Sequence, residues 1–257
     1  MNKNDLEHEL PPLTPLQEAQ DLIYQAWEAP TKRERKKLAR QALDLSADCA
    51  DAYVILAQDN TETLVEEHIY YEAGIQAGER AIGTRMFTEN RGHFWGILET
   101  RPYMRARGGL AKTLWKMGRR QEAIDHYWEM LRLNEHDNQG IRYVLAVCLL
   151  DDERNEELEK LLSMNAGDGM AMLVYARALL AFRREGASPR ATRYLQQAIE
   201  NNPYTPAYIL GEKRIPRKQP PTIGWGDETE AAYVASEVKH IWRREGGAIS
   251  WLRDNTR

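Results

Sequence analysis

Three arginines fall within seven residues near the middle of the chain, beside several aromatic side chains. They are Arg101, Arg105 and Arg107. Arg101 and Arg105 are four residues apart and share one face of a helix that starts near Thr100. Two guanidinium groups on one face can hold a carboxylate or a phosphate by paired hydrogen bonds. Other side chains of partner-binding type lie close in sequence: His93, Trp95 and Tyr103. The segment 91–107 is therefore the best candidate for a binding site.

A packing role is the alternative for the same segment. Arg107 could pair with an acidic residue of a neighbouring helix. Phe94 and Trp95 could fill a wedge that an irregular helix pair leaves open. Both interpretations stay open at the level of sequence.

The sequence lacks the spaced motifs of common enzyme and metal sites. It contains no H-E-x-x-H, C-x2-C, G-x-S-x-G, P-loop or dinucleotide-binding motif. His126 and Glu129 could offer two metal ligands, but no second pair accompanies them. We therefore predict no catalytic activity, no cofactor and no bound metal. An enzyme built around His93, Glu99 and Arg101 is the least favoured alternative.

Composition places the chain among ordinary globular proteins. It has 257 residues, of which 42% are hydrophobic and 29% charged. No apolar stretch is long enough to span a bilayer, and the polar N-terminus does not resemble a signal peptide. Cys49 and Cys148 lie in apolar helical patterns, which is typical of reduced, buried thiols. We expect a cytoplasmic protein without a membrane span.

Helical periodicity repeats along the chain at a nearly constant interval. The clearest unit begins at Met104 and follows the tetratricopeptide pattern of about 34 residues. Ala111 and Ala123 are its small residues, which allow two helices to approach closely. Further units begin 35 residues later, near Gln139, and another 33 residues later, near Met172. Such spacing is typical of an array of helix pairs.

We therefore predict an all-α fold, a right-handed α-solenoid of tetratricopeptide-like helix pairs with an irregular insert and a C-terminal capping helix pair. A flexible N-terminal arm should cover 1–13, and a single helical domain 14–257. The predicted repeats and cap lie near the following ranges: 16–49, 50–83, 104–137, 139–172 and 172–205 for the repeats, and 206–257 for the cap.

The first helices of such pairs are expected to line an inner surface, where peptide ligands usually bind. On this register Lys112, Trp115 and Lys116 project inward beside Arg105. Tyr143 comes from the next pair and Arg177 from the third. This basic and aromatic surface suits an acidic or C-terminal peptide segment.

Several apolar and turn motifs resemble those of the suppressor of tumorigenicity 7 family. They are Ala52-Tyr53-Val54-Ile55-Leu56-Ala57, Ile69-Tyr70-Tyr71-Glu72-Ala73-Gly74, the segment 198–210, and Gly226-Asp227-Glu228-Thr229-Glu230-Ala231 leading into 242–248. The resemblance covers most of 40–255. The stretch Gly92-His93-Phe94-Trp95 looks more like soluble bacterial relatives that are described as tetratricopeptide proteins than like the animal branch. Animal members carry additional membrane-spanning sequence, so the resemblance implies no membrane location here. It also implies no enzymatic activity.

The leading hypothesis is a non-catalytic adaptor that binds a protein or peptide, possibly through an acidic segment of that partner. The alternative is a helical regulator that binds nucleic acid or a phosphorylated ligand. Basic segments at 32–40 and 213–218 favour the alternative, because locally basic faces of acidic proteins can bind phosphates. The net charge of −4 makes nucleic acid the less favoured partner. The sequence gives no indication of the oligomeric state.

Overall fold

The computed structural model describes residues 12–218 and 222–256. The predicted arm at 1–13 lies almost entirely outside the described residues, as do Pro220 and Pro221 of the basic loop. Every extended regular element among the described residues is helical, which confirms the all-α prediction.

Thirteen α-helices follow one another in the described part of the chain. Their bounds are α1 Pro15–Glu28, α2 Lys32–Leu45, α3 Ala50–Asp59, α4 Leu64–Glu89, α5 Arg101–Lys116, α6 Arg120–Leu133, α7 Ile141–Asp151, α8 Asn155–Met164, α9 Ala171–Glu185, α10 Pro189–Asn201, α11 Thr205–Leu210, α12 Glu228–Arg244 and α13 Ala248–Asp254. Two short 3₁₀ helices, Phe94–Gly96 and Leu98–Thr100, separate α4 from α5.

Local sequence signals fix where several of these helices begin. The Thr14 hydroxyl accepts a hydrogen bond from the Gln17 backbone N–H at 3.3 Å, and the Gln17 side chain accepts one from the Thr14 N–H at 2.8 Å. Pro15 occupies the first turn, where its missing N–H costs nothing. The Thr31 and Thr63 hydroxyls likewise accept hydrogen bonds from backbone N–H groups at the starts of α2 and α4, and at Thr63 the bond is again reciprocal. Helix α1 therefore begins where its capping threonine and first-turn proline lie in the sequence.

The helices divide into two compact groups, one before and one after the bond between Gln139 and Gly140. In the first group each helix packs on the next, and α3 also contacts both α1 and α5. The core between α1, α2 and α3 consists of small and branched apolar side chains, among them Ala19, Ile23 and Ala39. Whether both groups form a single domain stays a prediction from the sequence.

Glycines allow α4 and α5 to cross closely in the first group. A Cβ atom at Gly78 would lie 2.8 Å from Cβ of Tyr103, and one at Gly109 would lie 2.1 Å from the Tyr71 ring. No side chain fits at such separations, so both positions require glycine. The predicted repeat at 50–83 is extended here, because α4 continues past a break at Gly83, where φ is 73°.

The irregular segment after α4 folds back onto the first group. The Phe87 ring lies 5.0 Å from Phe94 and 5.1 Å from Tyr103, measured between ring centres. Phe94 is fully buried. For Phe94 the packing interpretation of this segment is therefore confirmed.

In the second group α9 packs on α7, α8 and α10, and α12 contacts both α7 and α9. Trp242 of α12 is fully buried, with its ring centre 6.3 Å from that of Tyr175 and 6.2 Å from that of Trp251. The segment predicted to cap the array thus forms helices, and its main helix packs across the first helices of two successive pairs.

The buried carboxylate of Glu230 accepts hydrogen bonds from three separate segments of the second group. Glu230 accepts hydrogen bonds from the backbone N–H groups of Ala171 at 2.9 Å and Gly226 at 2.8 Å, and from the Asn202 amide at 2.9 Å. Asn202 also donates to the carbonyl oxygen of Asp227 at 3.0 Å. The residues that carried the family resemblance in 198–210 and 226–231 therefore hold the start of α12 against α9.

The contact between α5 and α6 gives a test of the repeat register. Ala111 and Ala123 are both fully buried where these helices pack. Ala123→Leu should overpack the contact and lower the free energy of unfolding by about 1–3 kcal/mol, measured by urea denaturation. Ala81→Leu makes the same change at an exposed position of α4 and should leave the midpoint nearly unchanged. Equal midpoints for the two variants would contradict the assignment of Ala123 to a close helix contact.

Candidate functional site

A buried ion pair connects three helices of the first group. Arg105 of α5 donates to the two carboxylate oxygens of Asp51 of α3, at 2.7 Å and 2.5 Å. The Asp51 side chain is fully buried, whereas that of Arg105 is 28% exposed. Gln20 of α1 donates a further hydrogen bond to Asp51 at 3.1 Å. Arg105 is therefore neutralised by a partner within the chain.

Two tryptophans flank the Arg105 guanidinium. Its Cζ lies 4.8 Å from the centre of the Trp27 ring and 6.0 Å from that of Trp95, which allows cation–π attraction to both. Tyr24 stands beside Trp27, with ring centres 5.6 Å apart. Tyr24 is 50% and Trp27 41% exposed, so both rings offer free apolar surface.

Arg101 approaches the same Trp95 ring but differs from Arg105 in its partners. Its Nε donates to the backbone oxygen of Trp95 at 2.9 Å, and its Cζ lies 5.5 Å from the ring centre. Within the described part of the chain no carboxylate pairs with Arg101. We call the surface formed by Tyr24, Trp27, Trp95, Arg101 and Arg105 the arginine–tryptophan face.

The structure places Tyr103 in the core rather than on this face. It is 1% exposed and accepts a hydrogen bond from Arg107 at 2.9 Å. Burial raises the pKa of the Tyr103 hydroxyl, and the Arg107 charge partly offsets that rise. His93 is exposed, with its ring centre 6.0 Å from that of His136. Tyr103 is thus unavailable to a partner in this structure, because its aromatic ring fills the wedge between α4 and α5.

The remaining predicted residues of α5 continue along its length. Lys112 is exposed. Trp115 is half-buried, and Cζ of Arg120 lies 4.6 Å from its ring centre. Lys116 pairs with Glu67 of α4 at 3.5 Å. These three residues share with Arg101 and Arg105 the helix face that their spacing defines.

Tyr143 and Arg177 belong to the second group and have their own surroundings. Tyr143 donates its hydroxyl to Asp168 at 2.8 Å, and burial together with this hydrogen bond raises its pKa to about 12. Arg177 donates to the backbone oxygen of Leu162 at 3.2 Å and lines a cavity between α8, α9 and α10. These side-chain hydrogen bonds of Tyr143 and Arg177 go to different partners and do not connect the two residues.

The pair considered as metal ligands is engaged in other contacts. Nδ1 of His126 lies 3.2 Å from the Arg107 guanidinium, and Glu129 accepts a hydrogen bond from Arg132 at 2.8 Å. Burial, followed by the nearby Arg107 charge, lowers the pKa of His126 to about 4. Across residues 12–218 and 222–256, no group of three or more His, Cys, Asp or Glu side chains is arranged to hold a metal ion.

The basic segments behind the alternative function are partly neutralised. Arg35 donates to Asp59 at 2.5 Å and 3.0 Å, which lowers the pKa of that carboxyl. Lys32 pairs with the same Asp59 at 3.6 Å. In the segment 213–218, Lys213 pairs with Glu228 at 2.5 Å.

Sequence reasoning missed three residues of this site. Asp51 lies 54 positions before Arg105, and no local pattern connects the two. Tyr24 and Trp27 are three residues apart on α1, which could have suggested an aromatic pair on one helix face. Exposure of that face is a tertiary property, so the sequence alone did not reveal it.

Comparison with known proteins identifies the family. A family model described as "ST7 protein" matches residues 13–161, which is more than half of the chain. The chain therefore belongs to the ST7 family, and the resemblance seen in the sequence is confirmed.

Relatives with curated names agree with this family. A "Suppressor of tumorigenicity 7 protein-like" from Gallus gallus is 26% identical over 265 residues, which cover 92% of this chain and 46% of the relative. The protein of the same name from Homo sapiens is 26% identical, covering 93% of this chain and 45% of the relative. "Protein ST7 homolog" from Drosophila melanogaster is 25% identical, with 91% and 48% covered. This chain thus spans about half the length of the curated relatives that it matches.

The length and apolar character of the helices bear on the prediction that the chain has no membrane span. Among the helices of the described residues, none combines the length and the apolar character that crossing a bilayer requires.

Arg101 and Arg105 form a matched pair for a stability test. Arg105→Ala leaves the buried Asp51 carboxylate uncompensated and should lower the free energy of unfolding by about 3 kcal/mol. Arg101→Ala removes a half-exposed guanidinium without a carboxylate partner and should cost less than about 1 kcal/mol. Guanidinium chloride denaturation measures both. In the double variant Asp51→Ala/Arg105→Ala the loss should be smaller than the sum of the single losses, and strict additivity would contradict the ion pair.

His126 gives a prediction about pH. Its pKa falls from 6.5 in the unfolded chain to about 4 in the folded protein, so the unfolded state binds more protons between these values. The free energy of unfolding should therefore decrease as the pH drops from 6.5 to 4. His126→Gln should make this decrease smaller, whereas His136→Gln, at an exposed position, should not. Denaturation curves across this pH range for the three proteins measure the difference.

Proposed function

We propose that the protein is a non-catalytic interaction adaptor that binds a peptide segment of a partner on the arginine–tryptophan face. The segment carries a carboxylate, from an acidic side chain or a chain terminus, next to an apolar or aromatic residue. Catalysis plays no part in this proposal, and neither does a cofactor.

The single observation that carries the proposal is the difference between two neighbouring arginines. Arg105 is held between two tryptophans and neutralised by Asp51. Arg101 stacks on the same Trp95 and uses only its Nε, so both terminal nitrogens remain available to a carboxylate. A guanidinium whose two terminal nitrogens are unused can donate a pair of hydrogen bonds to a partner's carboxylate without breaking an ion pair within the chain.

The aromatic residues support a peptide as the ligand. Tyr24 and Trp27 expose about half of their surface beside the arginines. Tryptophan, tyrosine and arginine dominate binding hot spots, because they bury large rigid surfaces or make planar hydrogen bonds. Cation–π contacts hold these side chains in place before binding, which reduces the entropy lost on association.

We also propose that the first group is an array of tetratricopeptide-like helix pairs, and the contacts between its helices support this. Helix α3 contacts both α1 and α5, as the first helices of successive stacked pairs do. The face they form together with the Trp95 turn corresponds to the inner surface on which such arrays bind peptides. We also propose a cytoplasmic location, because buried thiols such as that of Cys49 suit a reducing compartment.

Nucleic acid is the alternative ligand, and the contacts favour it less. Lys32 and Arg35 already share Asp59, and Lys213 already pairs with Glu228. A phosphate backbone would have to compete with these carboxylates.

Selection from a display library of random short peptides tests the proposal. Selected peptides should contain Asp, Glu or a free C-terminus beside an apolar or aromatic residue. Their dissociation constants, measured by fluorescence polarisation, should rise about tenfold for Arg101→Gln, which is about 1.4 kcal/mol. Trp27→Ala should weaken binding by at least as much.

Arg85→Gln is the control, because Arg85 is an exposed arginine of α4 that pairs with Glu89 and is not one of the residues that define this face. The selected peptides should bind the Arg85→Gln variant with the same affinity as the unchanged protein. Peptides that bind Arg101→Gln and Trp27→Ala at full strength would overturn the proposed face. Tighter, salt-sensitive binding of a labelled oligonucleotide would instead favour the nucleic-acid alternative.

A further inference from the structure

The second group contains a cavity of about 290 Å³ that the proposed function does not use. Helix α9 forms its floor, and α8 and α10 form its walls. The floor contributes Arg177, Leu180, Ala181 and Arg184, which follow the spacing of one helix face. The cavity is near the lower end of the roughly 300–1,000 Å³ of small ligand sites. It can therefore hold a few side-chain groups but not a helix.

Arg177 is the charged group of this floor with the fewest partners. It is half-buried and donates only to the backbone oxygen of Leu162, at 3.2 Å. Within the described residues no carboxylate pairs with it. A guanidinium has five N–H donors, so most of the hydrogen-bonding capacity of Arg177 faces the cavity or solvent.

The other charges around the cavity are already paired. Arg184 donates to Glu159 at 2.7 Å, and Arg190 donates to Glu185 at 3.0 Å. These pairs neutralise the rim, so Arg177 gives the cavity its net positive charge. Apolar side chains of Leu162 and Leu180 lie next to this charge.

We propose that this cavity is a second binding site, which takes an acidic side chain together with a neighbouring aliphatic side chain from a protein segment. The carboxylate would meet Arg177, and the aliphatic group would contact Leu162 and Leu180. Charge complementarity and the small volume select this ligand over a phosphate backbone or a helix. The site shares no residue with the arginine–tryptophan face, so the two proposals fail independently.

A purely structural role for Arg177 is the competing explanation. Leu162 lies in the last turn of α8, where carbonyl oxygens lack helical partners and favour a positive charge. If Arg177 only caps α8, its loss lowers the melting temperature but has no effect on a ligand.

Two capped dipeptides, N-acetyl-Glu-Leu-amide and N-acetyl-Gln-Leu-amide, separate these explanations. They are titrated into the full ¹⁵N-labelled chain, and the amide resonances of Leu162, Ala166, Leu180 and Ala181 are followed. The Glu peptide should shift these resonances in a saturable manner and bind about tenfold more tightly than the Gln peptide. This comparison uses the unchanged protein, so it does not depend on the folding of any variant.

Substitutions at Arg177 then test whether this residue causes the preference for the Glu peptide. Arg177→Gln should reduce the affinity for the Glu peptide to that for the Gln peptide, and Arg177→Lys should fall between. Arg253→Gln, at an exposed position of α13, should leave the affinity unchanged. Equal affinities of the unchanged protein for the two peptides, or the absence of saturable shifts at these four residues, would overturn the second site.

Discussion

The first helix group depends on the compensation of one buried charge. Asp51 is fully buried on α3, and an ionised carboxylate there is tolerated only with a close cation and further hydrogen bonds. Arg105 from α5 and Gln20 from α1 supply them. This requirement connects three helices that are far apart in sequence. It also fixes the Arg105 guanidinium, and thereby the surface on which Trp27 and Trp95 pack.

The second helix group also contains a buried carboxylate, and there neutral hydrogen-bond donors stabilise it. Glu230 is fully buried and receives hydrogen bonds from two backbone N–H groups and the Asn202 amide. Because these donors come from the starts of α9 and α12 and from the loop between α10 and α11, the carboxylate orders three chain segments. Residues that made the sequence resemble the ST7 family thus act here in packing, and a functional role does not follow from the resemblance.

The sequence predicted the helices better than the site, and the reason is physical. Apolar spacing and Thr caps are local signals, so the start of α1 and the helical character of the whole described chain could be predicted. Arg101 and Arg105 have the same residue type and the same helix face, so sequence assigned them one role. Their difference arises from Asp51, a contact between residues 54 positions apart. Tyr103 was misplaced for a related reason, since an aromatic residue suits a binding surface and a core equally well.

Exposure of Tyr24 and Trp27 has an energetic consequence for the proposed function. Burying an aromatic side chain stabilises a fold, so leaving these two rings half-exposed forgoes part of that stabilisation. The Arg105 guanidinium lies over one side of the Trp27 ring. In the proposed function, burial of the exposed sides by a partner supplies hydrophobic free energy, and the ion pair that stabilises the helices also places Arg105 against Trp27. Under the proposed function, stability and binding on this face would both depend on the Asp51–Arg105 pair, whereas the main role of Arg101 would be in binding.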